Sequence, residues 1–302
     1  MQHFSGGQAR HTERFAPSPT GGLHLGHAFS AITAHDAARA AGGRFLLRME
    51  DLDAGRVRAA YAEGILADLD WLGIRLDGPV LWQSARAAAH AQALERLSVA
   101  GLVYQCVCTR RDIAEAAAAP QEGAAATGPD GLVYPGTCRG RETDPDAPAA
   151  LRLDMARAVE ALGGPASVRR LAFAETDEGP EGERGAIQLD PDALIGAAGD
   201  VVLRRKDGAA AYHLAVVVDD AFQGITHVTR GRDLFPATPI HRLLQALLGL
   251  PTPAYRHHRL IRDASGRRLA KRDQDLALAA LREAGVAARQ VRHRLGLGPP
   301  PG

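Results

Sequence analysis

Apolar residues along this chain fall into two alternating rhythms. Short runs such as Thr12 to Ala16 and Arg44-Phe45-Leu46-Leu47-Arg48-Met49 read as strands, the second one buried. Between them, Ala28, Ala31, Ile32 and His35 recur at helical spacing, so a helix is predicted from Gly26 to Ala41, stopped by Gly42-Gly43. Strand, helix, strand in this order implies a right-handed crossover and a parallel sheet. Ligands bind at the carboxyl edge of such sheets, where Glu50-Asp51-Leu52-Asp53 would stand.

Further helices are predicted over Arg58–Leu72 and Ala85–Ala100, closed by Gly73 and Gly101. Leu102 to Cys108 reads as a strand, followed by a helix-forming run. Ala116 to Gly131 is a soft Ala/Gly/Pro loop. Ala149 opens a strand-rich insertion reaching about Gly208, with an acidic, Gly-rich hairpin tip or loop over Glu175–Arg184. Tyr212-His213-Leu214-Ala215-Val216-Val217-Val218-Asp219-Asp220 reads as a buried strand, and Val228-Thr229-Arg230-Gly231 as another. Pro239–Leu248 is a predicted helix, and Gly296–Gly302 a frayed tail. The fold class is α/β.

Composition adds mainly exclusions. A length of 302 residues, 46% hydrophobic and 24% charged, suits a soluble globular chain. A net charge of +1 supplies no global attraction to nucleic acid or membrane. No segment reads as a signal peptide or a membrane span, so a cytoplasmic location and no membrane partner are expected. Three cysteines, an odd number, argue against a disulfide framework.

Candidate chemistry concentrates in three places. In Arg14-Phe15-Ala16-Pro17-Ser18-Pro19-Thr20-Gly21-Gly22-Leu23-His24-Leu25-Gly26-His27, two prolines stiffen the turn after a strand, and glycines admit close backbone approach. A helix then starts near His27, offering free N–H groups and the positive dipole end to phosphate. His24 and His27, three apart, share one helical face and can both donate to phosphate oxygens. Lys271 lies in Arg268-Leu269-Ala270-Lys271-Arg272. It is one of only two lysines, with Lys206, among 36 basic residues. The third place is Cys106-Val107-Cys108 with Cys138. Three thiolates make a plausible zinc site in need of a fourth ligand, the alternative being three small buried apolar side chains.

The first segment resembles the signature of the glutamyl class I aminoacyl-tRNA synthetases. Arg44 to Asp53, Tyr212 to Asp220 with Val228 to Leu234, and Arg268 to Arg272 are similar to the family's later blocks, in the family's order. The resemblance implies a Rossmann-like doubly wound parallel-sheet catalytic domain, with boundaries at 1–102 and 209–250 for its two halves. An acceptor-type, zinc-bearing insertion would fill 103–208. A mobile KMSKS-like loop and a short helical part would fill 251–302. It also implies ATP with Mg2+ and L-glutamate as substrates. His24, Gly26, His27 and Lys271 would serve ATP, with His24, His27 and Lys271 catalytic. Arg14, Phe15, Ala16, Pro17, Ser18, Glu50, Tyr212 and Arg230 would hold glutamate. The residue types suit these roles: arginines grip carboxylates in bidentate fashion, Glu50 can pair with the ammonium, and Tyr212 offers a phenol. A compact ammonium at Lys271 can meet charge building on the phosphates. Arg268 and Ala270 depart from the family's Lys and Ser.

A short branch of the family, the glutamyl-Q tRNA(Asp) synthetases, carries C-x-C…Y-x3-C, which matches Cys106, Cys108, Tyr134 and Cys138. The resemblance thus implies one structural zinc per chain with Tyr134 as fourth ligand. Only about 30 residues follow Lys271, so no anticodon-binding domain is expected. The partner implied is tRNA(Asp) carrying queuosine at the wobble position, and the state a monomer. Two alternatives stand beside it. One is a truncated glutamyl-tRNA synthetase charging an acceptor end. The other is a catalytically silent, zinc-stabilised RNA-binding module.

Overall fold

The computed structural model describes residues 10–117, 127–144, 147–262 and 277–301. In chain order its first elements are β1 (Thr12–Phe15), α1 (Leu25–Ala40), β2 (Arg44–Met49), α2 (Ala59–Trp71), β3 (Leu81–Trp82), α3 (Ala87–Val99), β4 (Val103–Cys106) and α4 (Arg110–Ala117). Then come β5 (Thr127–Gly128), β6 (Gly131–Leu132), β7 (Ala150–Leu153), α5 (Met155–Ala161), α6 (Pro165–Val168), β8 (Ala172–Glu175), β9 (Gly185–Gln188), α7 (Pro191–Ala193) and β10 (Val202–Arg204). The last are α8 (Tyr212–Phe222), β11 (His227–Gly231), α9 (Thr238–Leu248), β12 (Ala254–His258), α10 (Leu278–Glu283) and α11 (Ala288–Arg294).

The chain divides into two compact units. The first comprises Met1–Trp82, Gly224–Arg232 and Pro253–Gly302. In it, β1 pairs in parallel with β2, β2 with β3, and β11 with β12. β11 lies alongside β1 in the same sense: the Thr226 N–H donates to the Thr12 carbonyl at 3.0 Å, and Arg14 Nη1 reaches the Thr229 carbonyl at 3.5 Å. The order is therefore β12–β11–β1–β2–β3, with every carboxyl end on one edge. The crossover through α1 closes at Gly43. A Cβ there would overlap the His11 carbonyl oxygen, and Arg44 N donates to that same oxygen at 2.8 Å to begin the ladder. One apolar core runs from Phe15 and Phe45 through Ile32 on α1 and Ile65 on α2 to Leu281 on α10 and Val291 on α11.

The second unit comprises Gln83–Gln223 and Asp233–Thr252. It holds an antiparallel sheet, β10–β7–β4, and an antiparallel β8–β9 hairpin whose tip is the acidic stretch expected at Glu175–Arg184. Buried Asp219 on α8 gathers Gln83 Nε2 at 3.1 Å, Arg86 Nε at 3.2 Å and His90 Nε2 at 3.0 Å, which ties α8 to the start of α3.

Two expectations are corrected. Tyr212 to Asp220 forms the helix α8, not a strand. Seven of its residues, including His213, Leu214, Val216 and Asp219, are buried, so apolar positions lie on nearly every side and no helical stripe shows in the sequence. Over 149–208 the strands β7, β8, β9 and β10 alternate with α5, α6 and α7, so the segment is less strand-rich than expected. No helix of the described residues is long and apolar enough to cross a membrane.

Candidate active site and metal centre

In the first unit, β1 delivers Arg14 and Phe15 to the carboxyl edge, and the chain turns there. Glu50 N, just past β2, donates to the Pro17 carbonyl at 3.0 Å, and Arg58 N to that of Pro19 at 3.1 Å. The Pro-Ser-Pro turn is thus stitched to the end of β2. Phe15 and Pro17 are buried, while Ala16 and Ser18 are half-buried. The Phe15 side chain belongs to the apolar core, so only its backbone can meet a ligand.

The turn ends on His24, which caps α1. Its backbone is extended (φ −126°, ψ 174°), and its Nδ1 accepts from Gly26 N at 3.1 Å. His27 closes the box in return, its Nδ1 accepting from His24 N at 3.2 Å. The two rings stack with centroids 3.8 Å apart. An Nδ1 that accepts a backbone N–H carries no proton, so each neutral ring keeps its proton on Nε2. The cap thereby fixes both imidazoles as Nε2–H donors, the form a phosphate oxygen needs. Gly26 has a further reason to be glycine: a Cβ would stand 2.9 Å from His24 Cε1, in the space the capping ring uses.

Buried arginines define the neighbouring floor. Arg14 is 4% exposed and Arg230, on β11, 5% exposed. Arg230 Nε donates to His257 Nε2 at 3.1 Å. Glu50 accepts from the fully buried Arg48 at 3.3 Å. Arg14, Phe15, Ala16, Pro17, Ser18, His24, Gly26, His27, Glu50 and Arg230 therefore all belong to one unit, at the ends of three adjacent parallel strands. The segment holding Arg268, Ala270 and Lys271 lies outside the described residues. The chain after it re-enters at Ala277, which bridges to His24, and Leu278 N donates to the Leu23 carbonyl at 2.9 Å. Tyr212 belongs to the second unit, as the first residue of α8 rather than a strand end. Its ring centroid is 5.4 Å from those of His213 and His241. His213 Nδ1 lies 3.1 Å from His241 Nε2, and its Nε2 lies 3.1 Å from Asp130 on the β5–β6 turn.

The cysteines converge in the second unit, with all three Sγ atoms within 4.8 Å of one another. Cys108 Sγ is 3.5 Å from Cys138 Sγ and 3.5 Å from the Tyr134 hydroxyl, which also accepts from Cys138 N at 2.9 Å. Burial raises the Cys138 thiol, but hydrogen bonds from Tyr134 and from the backbone at Val107 and Cys108 outweigh it and bring the thiol down to about 7. Burial pushes the Tyr134 phenol well up, and the thiol of Cys108 up as well. Tetrahedral coordination with metal–sulfur bonds of about 2.3 Å requires sulfurs roughly 3.8 Å apart, so the cluster is of metal-binding size. Its surroundings are fixed. Arg139, beside Cys138, donates twice to buried Asp200, at 2.9 and 2.6 Å, and Tyr104 donates to the same carboxylate at 2.5 Å. The Arg152 guanidinium sits 3.9 Å over the Tyr134 ring.

The supporting residues His257, Asp130, Asp200 and Arg152 are absent from the sequence reading. His257 had one signal, its place in a strand-like run; the others are joined only by long-range contacts. For the histidines, the spacing i, i+3 is that of a capping box, which was legible in principle.

A model of the tRNA synthetases class I (E and Q) catalytic domain matches residues 11–297 of this chain. The glutamyl-Q tRNA(Asp) synthetase of Rhodobacter capsulatus is 54% identical, over 94% of this chain and 99% of its own length. That of Nocardia farcinica is 47% identical, over 95% of this chain and 85% of its own. Among solved structures, a glutamate tRNA ligase from Elizabethkingia meningosepticum in complex with its amino acid superposes with a TM-score of 0.67 at 27% identity, over 88% of this chain. This chain spans 53% of that ligase's length. A methionyl-tRNA synthetase from Mycobacterium tuberculosis, at 13% identity and a TM-score of 0.60 over 95% of this chain and 64% of its own, shares the fold.

Proposed function

We infer the reaction of this protein from its kinship: the chain belongs to the class I tRNA synthetases of the E and Q type and, within them, to the glutamyl-Q tRNA(Asp) synthetases. It activates L-glutamate with ATP and transfers the glutamyl group to the queuosine of tRNA(Asp). In the first step a glutamate α-carboxylate oxygen attacks the α-phosphorus of ATP, and the bond to pyrophosphate breaks. In the second a cyclopentenediol hydroxyl of queuosine attacks the activated carbonyl. An ester forms, the hydroxyl proton is lost, and AMP leaves.

The observation that carries the first step is the helix cap. His24 and His27 sit at the N-terminus of a 16-residue helix with their Nδ1 atoms committed to backbone N–H groups, which makes both rings Nε2–H donors beside a positive dipole end. Such donors favour the charge that builds on the phosphates. Arg14 and Arg230 suit the two carboxylates of glutamate, Glu50 its ammonium, and Ser18 and Tyr212 carry hydroxyls of the kind that such a substrate uses. Lys271 supplies the cation for the leaving pyrophosphate. Magnesium accompanies ATP.

Zinc is the metal the Cys106, Cys108, Cys138 and Tyr134 donors fit. When bound it supplies a structural staple joining the residues after β4 to the Tyr134–Cys138 turn. The chain's own part is to place three sulfurs within 4.8 Å and to hold Arg139 against Asp200.

Glutamate-dependent ATP–pyrophosphate exchange without tRNA is the test of activation, and no exchange would overturn it. Labelled glutamate should then appear on tRNA(Asp) only when queuosine is present. Label on tRNA(Glu), or on tRNA(Asp) lacking queuosine, contradicts the acceptor assignment.

A further inference from the structure

We propose that His257 is a positioning residue for Arg230, dictating which edge of its guanidinium meets a substrate carboxylate. The inference rests on the reading of Arg230 as a glutamate ligand. β11 and β12 run parallel with Arg230 opposite His257 and Val228 opposite Tyr255. His257 is fully buried, and its Nε2 receives the Arg230 Nε–H at 3.1 Å. The Arg230 guanidinium carbon is 5.3 Å from the Tyr255 ring centroid, and the Tyr255 and His257 rings are parallel to within 3°. The guanidinium is thus held from one side by a ring nitrogen and an aromatic face.

The chemistry of the pair is one-directional. A guanidinium is charged throughout the accessible pH range and only donates. His257 must therefore offer a lone pair at Nε2 and keep its ring proton on Nδ1. A guanidinium can take a carboxylate in two bidentate ways, side-on through Nε and one Nη, or end-on through both Nη atoms. The bond to His257 commits Nε. The end-on fork is the one that engages a carboxylate without competing with His257. His257 also removes rotation about the last bonds of a long side chain, so less freedom is lost when the carboxylate arrives. An apolar residue at 257 would remove the acceptor that fixes the Arg230 Nε–H.

The test is ATP–pyrophosphate exchange on the full chain, with KM determined separately for glutamate and for ATP, and with thermal unfolding recorded for each protein. Three variants are compared: His257→Leu, His257→Gln and His257→Asn. The Gln amide oxygen reaches about as far as Nε2; that of Asn stops near the Nδ1 position. His257→Leu and His257→Asn are expected to raise the glutamate KM about 10- to 100-fold, the range spanned by one hydrogen bond to a charged group, with the ATP KM within about twofold. His257→Gln is expected to restore most of the loss. Should the Leu variant not fold, the two amides decide the matter, since a merely structural polar site would treat them alike. A glutamate KM unmoved in Leu and Asn, equal effects in Gln and Asn, or equal rises in both KM values would overturn the inference while leaving activation standing. Absence of glutamate-dependent exchange in the unaltered chain overturns the parent reading and this inference with it.

Discussion

Asp68→Asn should make the protein more stable at neutral pH and leave it unchanged near pH 3. Asp68 lies on α2 with 2% of its surface exposed, facing α10. Its Oδ1 accepts no hydrogen bond among the described residues, and Arg282 Nη1 stands 3.4 Å from it. Burial pushes the carboxyl up to about 6 from 3.8; Arg282 pulls against that rise, and Glu283 adds to it. The folded state therefore holds the Asp68 proton more tightly than the unfolded chain does. The stability this supplies is complete below pH 3.8 and is lost as pH climbs through 6. The rise in pKa corresponds to about 3 kcal/mol at most. That rise is already net of the pull of Arg282, and burying the Asn amide takes back part of the gain. The net benefit of Asn at pH 7.5 comes to roughly 2 kcal/mol. The chain's two tryptophans, Trp71 and Trp82, both belong to the first unit, so denaturant midpoints followed by their fluorescence report on the right body. Variant minus parent should grow from near zero at pH 3 to its full value by pH 7. A difference that is flat with pH, or that shrinks as pH rises, refutes the burial argument.

Three further outcomes are expected. His24→Asn keeps a side chain that caps helices well, so its melting temperature should stay near the parent's while pyrophosphate exchange falls at least about 100-fold; His24→Ala should lose exchange and about 1 kcal/mol of stability as well, and equal melting losses in both would refute the capping role. Cys138→Ser should abolish metal binding, read as zinc per chain falling from one to none by elemental analysis; full retention would return the cysteines to core packing. Lys271→Ala should slow the pyrophosphate exchange rate strongly with the glutamate KM nearly unchanged, and a parent-like rate would remove the lysine from the chemistry.

Much of the first unit was legible because its signals are local. β2 falls on Arg44–Met49 as its apolar run requires, and α1 and α2 begin and end within a residue or so of their predicted bounds. The parallel sense of β1 and β2 followed from the crossover rule. The second unit was harder for a definite reason. α8 is buried almost all round, and a helix without a polar face looks like a strand when its middle is Val216-Val217-Val218. The candidate site residues were read from the motif, whereas the residues that support them were not. Arg230 and His257 are 27 positions apart, and Asp130 and His213 are 83 apart. Nothing local marks either pair. The histidines of the first motif show the opposite case: both were identified, but as phosphate donors, and their backbone-capping role became visible only with the helix start in place.

The strand order β12–β11–β1–β2–β3 also has a consequence for synthesis. β1 begins at Thr12, yet the strand that lies beside it, β11, begins only at His227. At usual elongation speeds of 5–20 residues per second, one edge of β1, carrying Glu13 and Arg14, waits on the order of 10–40 s for its neighbour. During that interval these charged groups have water rather than Thr229 for company, and the carboxyl edge is incomplete. A chain stalled anywhere before residue 227 would therefore expose an unpaired strand edge, the kind of surface that chaperones hold and that aggregates recruit.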